Sequence, residues 1–232
     1  MSKFEGTYPK NLTIDGILSF PLTSDADLAA LKEWRVERKI SKPKYPDKIG
    51  ASLLLNQKQL DKAVEYLTKV YLPFVDVLYA DTDGEKGIPP ELTAVLLEQA
   101  KKQDWSDSNM PIRALTAKDI ENLPSDDIVA KIKFSGPYEA DMGKKALIKD
   151  EDGSTIAIKL EDVDLPESRK DYNQLWWGAG WHFRVALRLN AFDTASVGVS
   201  AYGATLYLLP SLGMPVSGGG DAAVIEDGDD WE

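Results

Sequence analysis

A mainly β architecture with a helical insertion, closing as a small antiparallel Greek-key barrel, is what this chain predicts, and three observations predict it. Short apolar runs bounded by Gly, Pro, Asp and Ser recur five or six times. One long stretch of helical period, residues about 57–104, interrupts them between the second strand and the third. Turns such as Asp152-Gly153 make neighbouring strands antiparallel, and an internal glycine, Gly203, supplies the bend that closure needs. A curved antiparallel set of this size closes as an OB-type barrel.

The elements follow in order. "LTIDGILSFPLT" (Leu12 to Thr23) is the first strand. "SDADLAALKEWRVERK" has helical features, with Ser24 as N-cap and Asp25 and Asp27 in its first turn. "KISKPKYPDK" contains two prolines and reads as a loop or extended arm. "GASLLLN" is a short buried strand. From Gln57 to about Tyr79, Leu60, Val64, Leu67 and Tyr71 recur at turn spacing, and Pro73 is expected to kink or end that helix. "PPELTAVLLEQAKKQ" is a second helix, with prolines at its start and Lys101 and Lys102 near its end.

Beyond it the period changes to two. "DIVAKIKFSGPY" alternates Ile128, Ala130, Ile132 and Phe134 against Val129, Lys131, Lys133 and Ser135. "ALIKDEDGSTIAIKL" is a hairpin through Asp152-Gly153. "WHFRVALRLNAF" sets Trp181, Phe183, Val185, Leu187 and Leu189 on one face, with His182, Arg184, Ala186 and Arg188 on the other. "GVSAYGATLYLLP" is the last strand, with a bulge or bend at Gly203. The expected organisation is one domain over residues 1–215 and a Gly-hinged acidic tail over 216–232.

Composition narrows the chemistry. With 43% hydrophobic and 28% charged residues, the chain is of ordinary globular make-up, and it holds no apolar run long enough for a membrane helix. Without a basic-then-apolar leader, the expected location is cytoplasmic. The absence of cysteine excludes disulfides, thiolate metal sites and cysteine nucleophiles, and a single histidine excludes multi-histidine sites. No cofactor is expected.

The net charge of −11 argues at first against a polyanionic partner. However, Asp221, Glu226, Asp227, Asp229, Asp230 and Glu232 all lie in the last twelve residues, which leaves 27 bases against 32 acids, or −5, in the rest. Single-stranded nucleic acid is held by positive charge along its phosphates and by aromatic rings that stack on its bases. Two stretches offer both. In the β-rich half, Lys131 and Lys133 share a strand face and Tyr138 ends the same run, Arg184 and Arg188 share another face, and "LWWGAGWHF" places Trp176 and Trp177 beside flexible glycines. In "EWRVERKISKPKYPDK", Trp34, Arg35, Lys42, Lys44 and Tyr45 interleave rings with charge. A packed tryptophan, cross-strand ion pairs for the arginines and a solvated helix face explain the same residues structurally.

Signals of catalysis are weak. "DTDGEKG" (Asp81 to Gly87) begins like a calcium loop but has Lys86 where the sharp turn needs glycine. "GVSAYG" lacks the nucleophile-elbow spacing, Gly178 and Gly180 lack a third glycine, and His182 sits mid-strand. A carbohydrate-active protein, with tryptophans stacked on sugar rings between paired carboxylates, is one alternative. An acidic interaction protein or DNA mimic that binds a basic partner is another.

In the tail, Gly218 to Gly220 provide a hinge, and the acids followed by Trp231 imitate a single strand, with carboxylates for phosphates and an indole for a base. Such a tail competes for a basic groove. "KYPDKIGASLLLN" followed by a helix, then "LWWGAGWHFRVALRLNAFDTASVGVSAYGATLYLLP", the glycines and the acidic, aromatic-tipped tail together resemble the bacteriophage single-stranded DNA-binding proteins. The likeness is to the T7-like type and to a broader phage family, nearest to those of enterobacterial phages. It implies an OB-fold and sequence-independent binding of single-stranded DNA in replication and recombination. It also implies a non-virion protein of the host cytoplasm, without catalysis, whose tail contacts replication proteins such as a polymerase or helicase. The chain departs from the T7-like pattern in two places. It ends Trp231-Glu232 rather than in phenylalanine, and the helical stretch exceeds what a minimal OB-fold requires.

Overall fold

A computed structural model describes residues 4, 6–19, 48–106, 109–121, 123–137, 145–164, 180–194 and 196–212. Eight strands lie among them: β1 (Leu12–Leu18), β2 (Lys48–Asn56), β3 (Ile112–Arg113), β4 (Ile128–Pro137), β5 (Lys145–Lys149), β6 (Thr155–Lys159), β7 (His182–Asp193) and β8 (Val197–Leu208). The sequence predicts five or six; the excess is the two-residue β3 and the separate arms of the hairpin. The helix expected after Ser24 lies outside the described residues.

Five strands close into a ring in the order β1-β2-β4-β8-β7, with β7 pairing back onto β1. Renumbered along the chain, that order is 1-2-3-5-4-1, the connectivity of an OB-fold barrel. The ring is not antiparallel throughout. Strand directions cannot alternate around an odd ring, so one contact must be parallel, and it is β4 with β8, where Ser135 partners Tyr202. The β5–β6 hairpin, turning through Gly153 at φ 79°, continues the sheet beside β8.

The alternation expected along β7 is present: Trp181, Phe183, Val185, Leu187 and Leu189 are all buried, with Arg184 and Arg188 facing out. In β8 the register slips between Ala186 and Leu187 of its partner, so Ala204 is extra. This bulge keeps Tyr202, Thr205 and Tyr207 on the outer face while Leu206 and Leu208 stay inside. A second bulge, at Val129, corrects the sequence expectation for β4. Asn56 partners Ile128 and Leu55 partners Ala130, so Ile128 is turned to the outer face, where it joins Ile17 and Leu54 in a cluster covered by Leu115 and Leu123.

The helical insertion packs on the barrel's end. It comprises α1 (Gln57–Tyr66), a π-helical turn (Leu67–Tyr71), α2 (Leu72–Asp81) and α3 (Pro90–Lys102), with a short α4 (Ala117–Ile120) after β3. Asn56 caps α1 by accepting from the Gln59 amide. Leu60, Leu67, Tyr71, Leu72, Val75 and Leu96 share one core with the inward residues of the barrel strands. Pro73 does not end the helix. The turn before it widens, Leu72 N donating to Leu67 O, and this accommodates a residue that has no amide to donate. Tyr71 ties the insertion to β7 by accepting from Ala191 N at 2.6 Å.

Candidate nucleic-acid interface

One rim of the barrel gathers the ends of several segments. Leu18 N donates to Trp181 O at 2.9 Å, Gly180 N donates to Leu18 O at 2.8 Å, and Ser19 N donates to Ser52 O at 2.9 Å. Leu209 N donates to His182 O at 2.9 Å, and Lys48 is the register partner of Pro137. The C-terminal ends of β1, β4 and β8 and the N-terminal ends of β2 and β7 therefore stand together. Segments 20–47, 138–144, 165–179 and 213–232 are rooted there. Trp34, Arg35, Lys42, Lys44, Tyr45, Tyr138, Trp176 and Trp177 belong to the first three, and Asp221, Glu226, Asp227, Asp229, Asp230, Trp231 and Glu232 to the last. All fifteen lie outside the described residues.

The described outer face is organised in cross-strand rows, because register partners point to the same side of a sheet. Asp15, Arg184, Tyr207, Lys145 and Lys159 form one row across β1, β7, β8, β5 and β6. Ser135, Tyr202 and Arg188 form a second across β4, β8 and β7. Lys145, Lys159 and Arg188 are exposed, Lys159 pairing with Glu161 at 3.0 Å, and the two tyrosines are half-buried. Lys133 is exposed on β4, next but one to Ser135.

A third row, Lys131, Leu54, Ile17 and His182, is covered by the chain between β3 and β4. There Lys131 donates to Asp119 at 2.5 Å, with side chains 14% and 8% exposed. Asp119 also receives bonds from the amide and hydroxyl of Thr116, the N-cap of α4. Burial alone would raise the Asp119 carboxyl, but the bonds from Lys131 and Thr116 outweigh it and hold it below its ordinary value. Burial pushes the His182 imidazole down, and Asp15 and Asp127 oppose that only in part. The Arg184 guanidinium is pushed up by its bond to Asp15.

The four candidate cations on described strands thus differ in circumstance. Lys133 and Arg188 are exposed. Arg184 is engaged by Asp15 through two bonds of 2.8 Å, and Lys131 by Asp119 beneath a cover. Sequence reasoning passed over Tyr202, Tyr207, Lys145 and Lys159. The signal was available in "AYGATLYL", where a bulge just after the glycine, at Ala204, is what leaves both tyrosines on one face. Among the described residues no group of three or more His, Asp or Glu is arranged to hold a metal ion.

No protein-family model matches the chain. No curated protein matches it. Among solved structures it is similar to the crystal structure of gp2.5, a single-stranded DNA-binding protein encoded by bacteriophage T7, at 15% sequence identity and a TM-score of 0.38, covering 87% of this chain and 92% of that one.

Proposed function

We propose that this chain coats single-stranded DNA without sequence preference and without catalysis, as a phage replication and recombination protein in the host cytoplasm. The observation that carries the reading is the shared rim. Both aromatic, basic segments and the acidic tail are rooted at one end of an OB barrel whose adjoining wall presents Lys133, Lys145, Arg188, Tyr202 and Tyr207. Cations spread along a wall follow a phosphate backbone, and rings between them stack on bases of any identity.

The tail follows β8, whose C-terminal end lies at that rim, and this supports reading the tail as a competitor for the strand's path. Its six acids are the natural competitor for that path, and on release they are free to engage replication proteins such as a polymerase or helicase. Removing Asp221 to Glu232 is therefore expected to tighten binding.

The test is a titration of the six tryptophans' fluorescence with oligo-dT, for the full chain and the tail-truncated chain. Saturable quenching at low salt, reached at lower oligonucleotide concentration by the truncated chain, is the expected result. Emission unchanged by oligo-dT throughout the low-salt range would overturn the reading.

A further inference from the structure

We infer that the single-stranded path runs across the barrel wall and ends on Tyr8, a base-stacking platform built from the N-terminal arm and the helical insertion; the inference rests on the single-strand reading above. Ser135, Tyr202 and Arg188 are successive partners across β4, β8 and β7. The row starts two residues from Pro137, at the rim where segments 20–47 and 138–144 are rooted, and climbs with the tilt of the strands to the middle of β7.

Arg188 does not end the row. Its guanidinium carbon lies 5.9 Å from the centre of the Tyr8 ring, within cation–π range. The Tyr8 ring is itself held by two neighbours, Phe4 at 5.2 Å edge-on and Phe74 of α2 at 5.3 Å. Phe4 and Phe74 also meet, at 5.6 Å. The arm is tied down a second time by Tyr66 of α1, whose hydroxyl donates to the Lys10 carbonyl.

A ring so braced is expected to bury its faces, yet Tyr8 is 48% exposed. A fixed, half-open aromatic beside an exposed arginine is the pair of groups that a nucleotide needs: a surface for the base and a cation for its phosphate. Tyr202, Arg188 and Tyr8 then offer aromatic, cation and aromatic in sequence. The helical insertion has a part in this beyond covering the barrel's end, because Phe74 and Tyr66 are the residues that hold the platform.

The test compares wild type, Tyr8→Ala and Tyr8→Phe on oligo-dT and on an abasic strand of equal length. Tyr8→Ala is expected to weaken binding to oligo-dT about 5- to 150-fold, the range for one stacked base, while leaving the abasic strand within about twofold. Tyr8→Phe, which keeps the ring, is expected to match wild type on both. Equal losses on both strands, or no loss on either, would overturn the platform. Failure of the wild type to bind oligo-dT would instead overturn the single-strand reading on which it rests. Should Tyr8→Ala fail to fold, photo-crosslinking of the wild type to 5-iodo-deoxyuridine strands decides. A crosslink at Tyr8 is expected, and crosslinks that spare residues 4–10 would contradict the proposal.

Discussion

Arg184 donates through Nε and Nη2 to the two oxygens of Asp15, both at 2.8 Å, joining β7 to β1 across 169 residues of sequence. The pair is about one-fifth to one-quarter exposed, and it leaves a cation neutralised within the row that carries Tyr207 and Lys145. Asp15→Asn is expected to lower stability by about 1.5–3 kcal/mol, the value of hydrogen bonds to a charged group. The same change releases Arg184 toward a phosphate, so affinity for oligo-dT should rise while the denaturation midpoint falls. Urea unfolding and DNA titration of the one variant check both signs.

Lys131 and Lys133 lie two residues apart on β4 and are expected to respond differently. Lys131→Met strands the Asp119 carboxylate beneath the cover of Leu115 and Leu123, and should cost about 2–3 kcal/mol of stability with little effect on DNA affinity. Lys133→Ala should leave stability within about 0.5 kcal/mol. It should also reduce the slope of log Kobs against log salt by about 0.7, the share of one phosphate contact. Urea midpoints and salt titrations of the two variants separate these outcomes.

The pH dependence has two windows. His182 has a lowered folded value, so the unfolded chain takes up its proton first as pH falls through about 6.5. Its contribution to stability is complete above that pH and is lost below it. The Asp119 carboxyl is also held low, so its contribution is complete above about 4 and is lost as pH falls further. Because His182 is the sole histidine, His182→Gln should flatten the urea midpoint between pH 7.5 and 5.5 while leaving the fall below pH 4. An unchanged slope in the upper window would assign it to other groups.

Gly16 faces the barrel interior where β1 crosses β2, and a Cβ there would lie 2.6 Å from the Leu54 carbonyl oxygen and 3.0 Å from Leu53 Cβ. Both belong to a central strand that cannot retreat without breaking its own pairing. Gly16→Val is expected to destabilise by about 1–3 kcal/mol, read as a shift in the thermal midpoint.

Features visible in the sequence were those that local periodicity records. The inward set from Trp181 to Leu189, the hairpin at Asp152-Gly153 and the bend near Gly203 each depend on residues within a few positions of one another. Ile128 was misplaced because a single extra residue, Val129, reverses the face of everything before it, and nothing in "DIVAKIKF" shows where a bulge falls. The partners of Arg184 and Lys131 were hidden for a related reason. Whether Asp15 or Asp119 meets them depends on register and on how a distant segment folds over the sheet. Tyr8 was invisible because its bracing comes from Phe74 and Arg188, far along the chain.

Exposed cations on the barrel wall that bind phosphates make oligo-dT affinity depend on salt. If Lys133, Lys145 and Arg188 each meet one phosphate, log Kobs should fall with log salt at a slope of about −2, and steeper as further contacts add to it. Binding to duplex DNA of the same length should be markedly weaker. A slope near zero, or equal affinity for the duplex, would show that the wall does not bind a single strand through its phosphates.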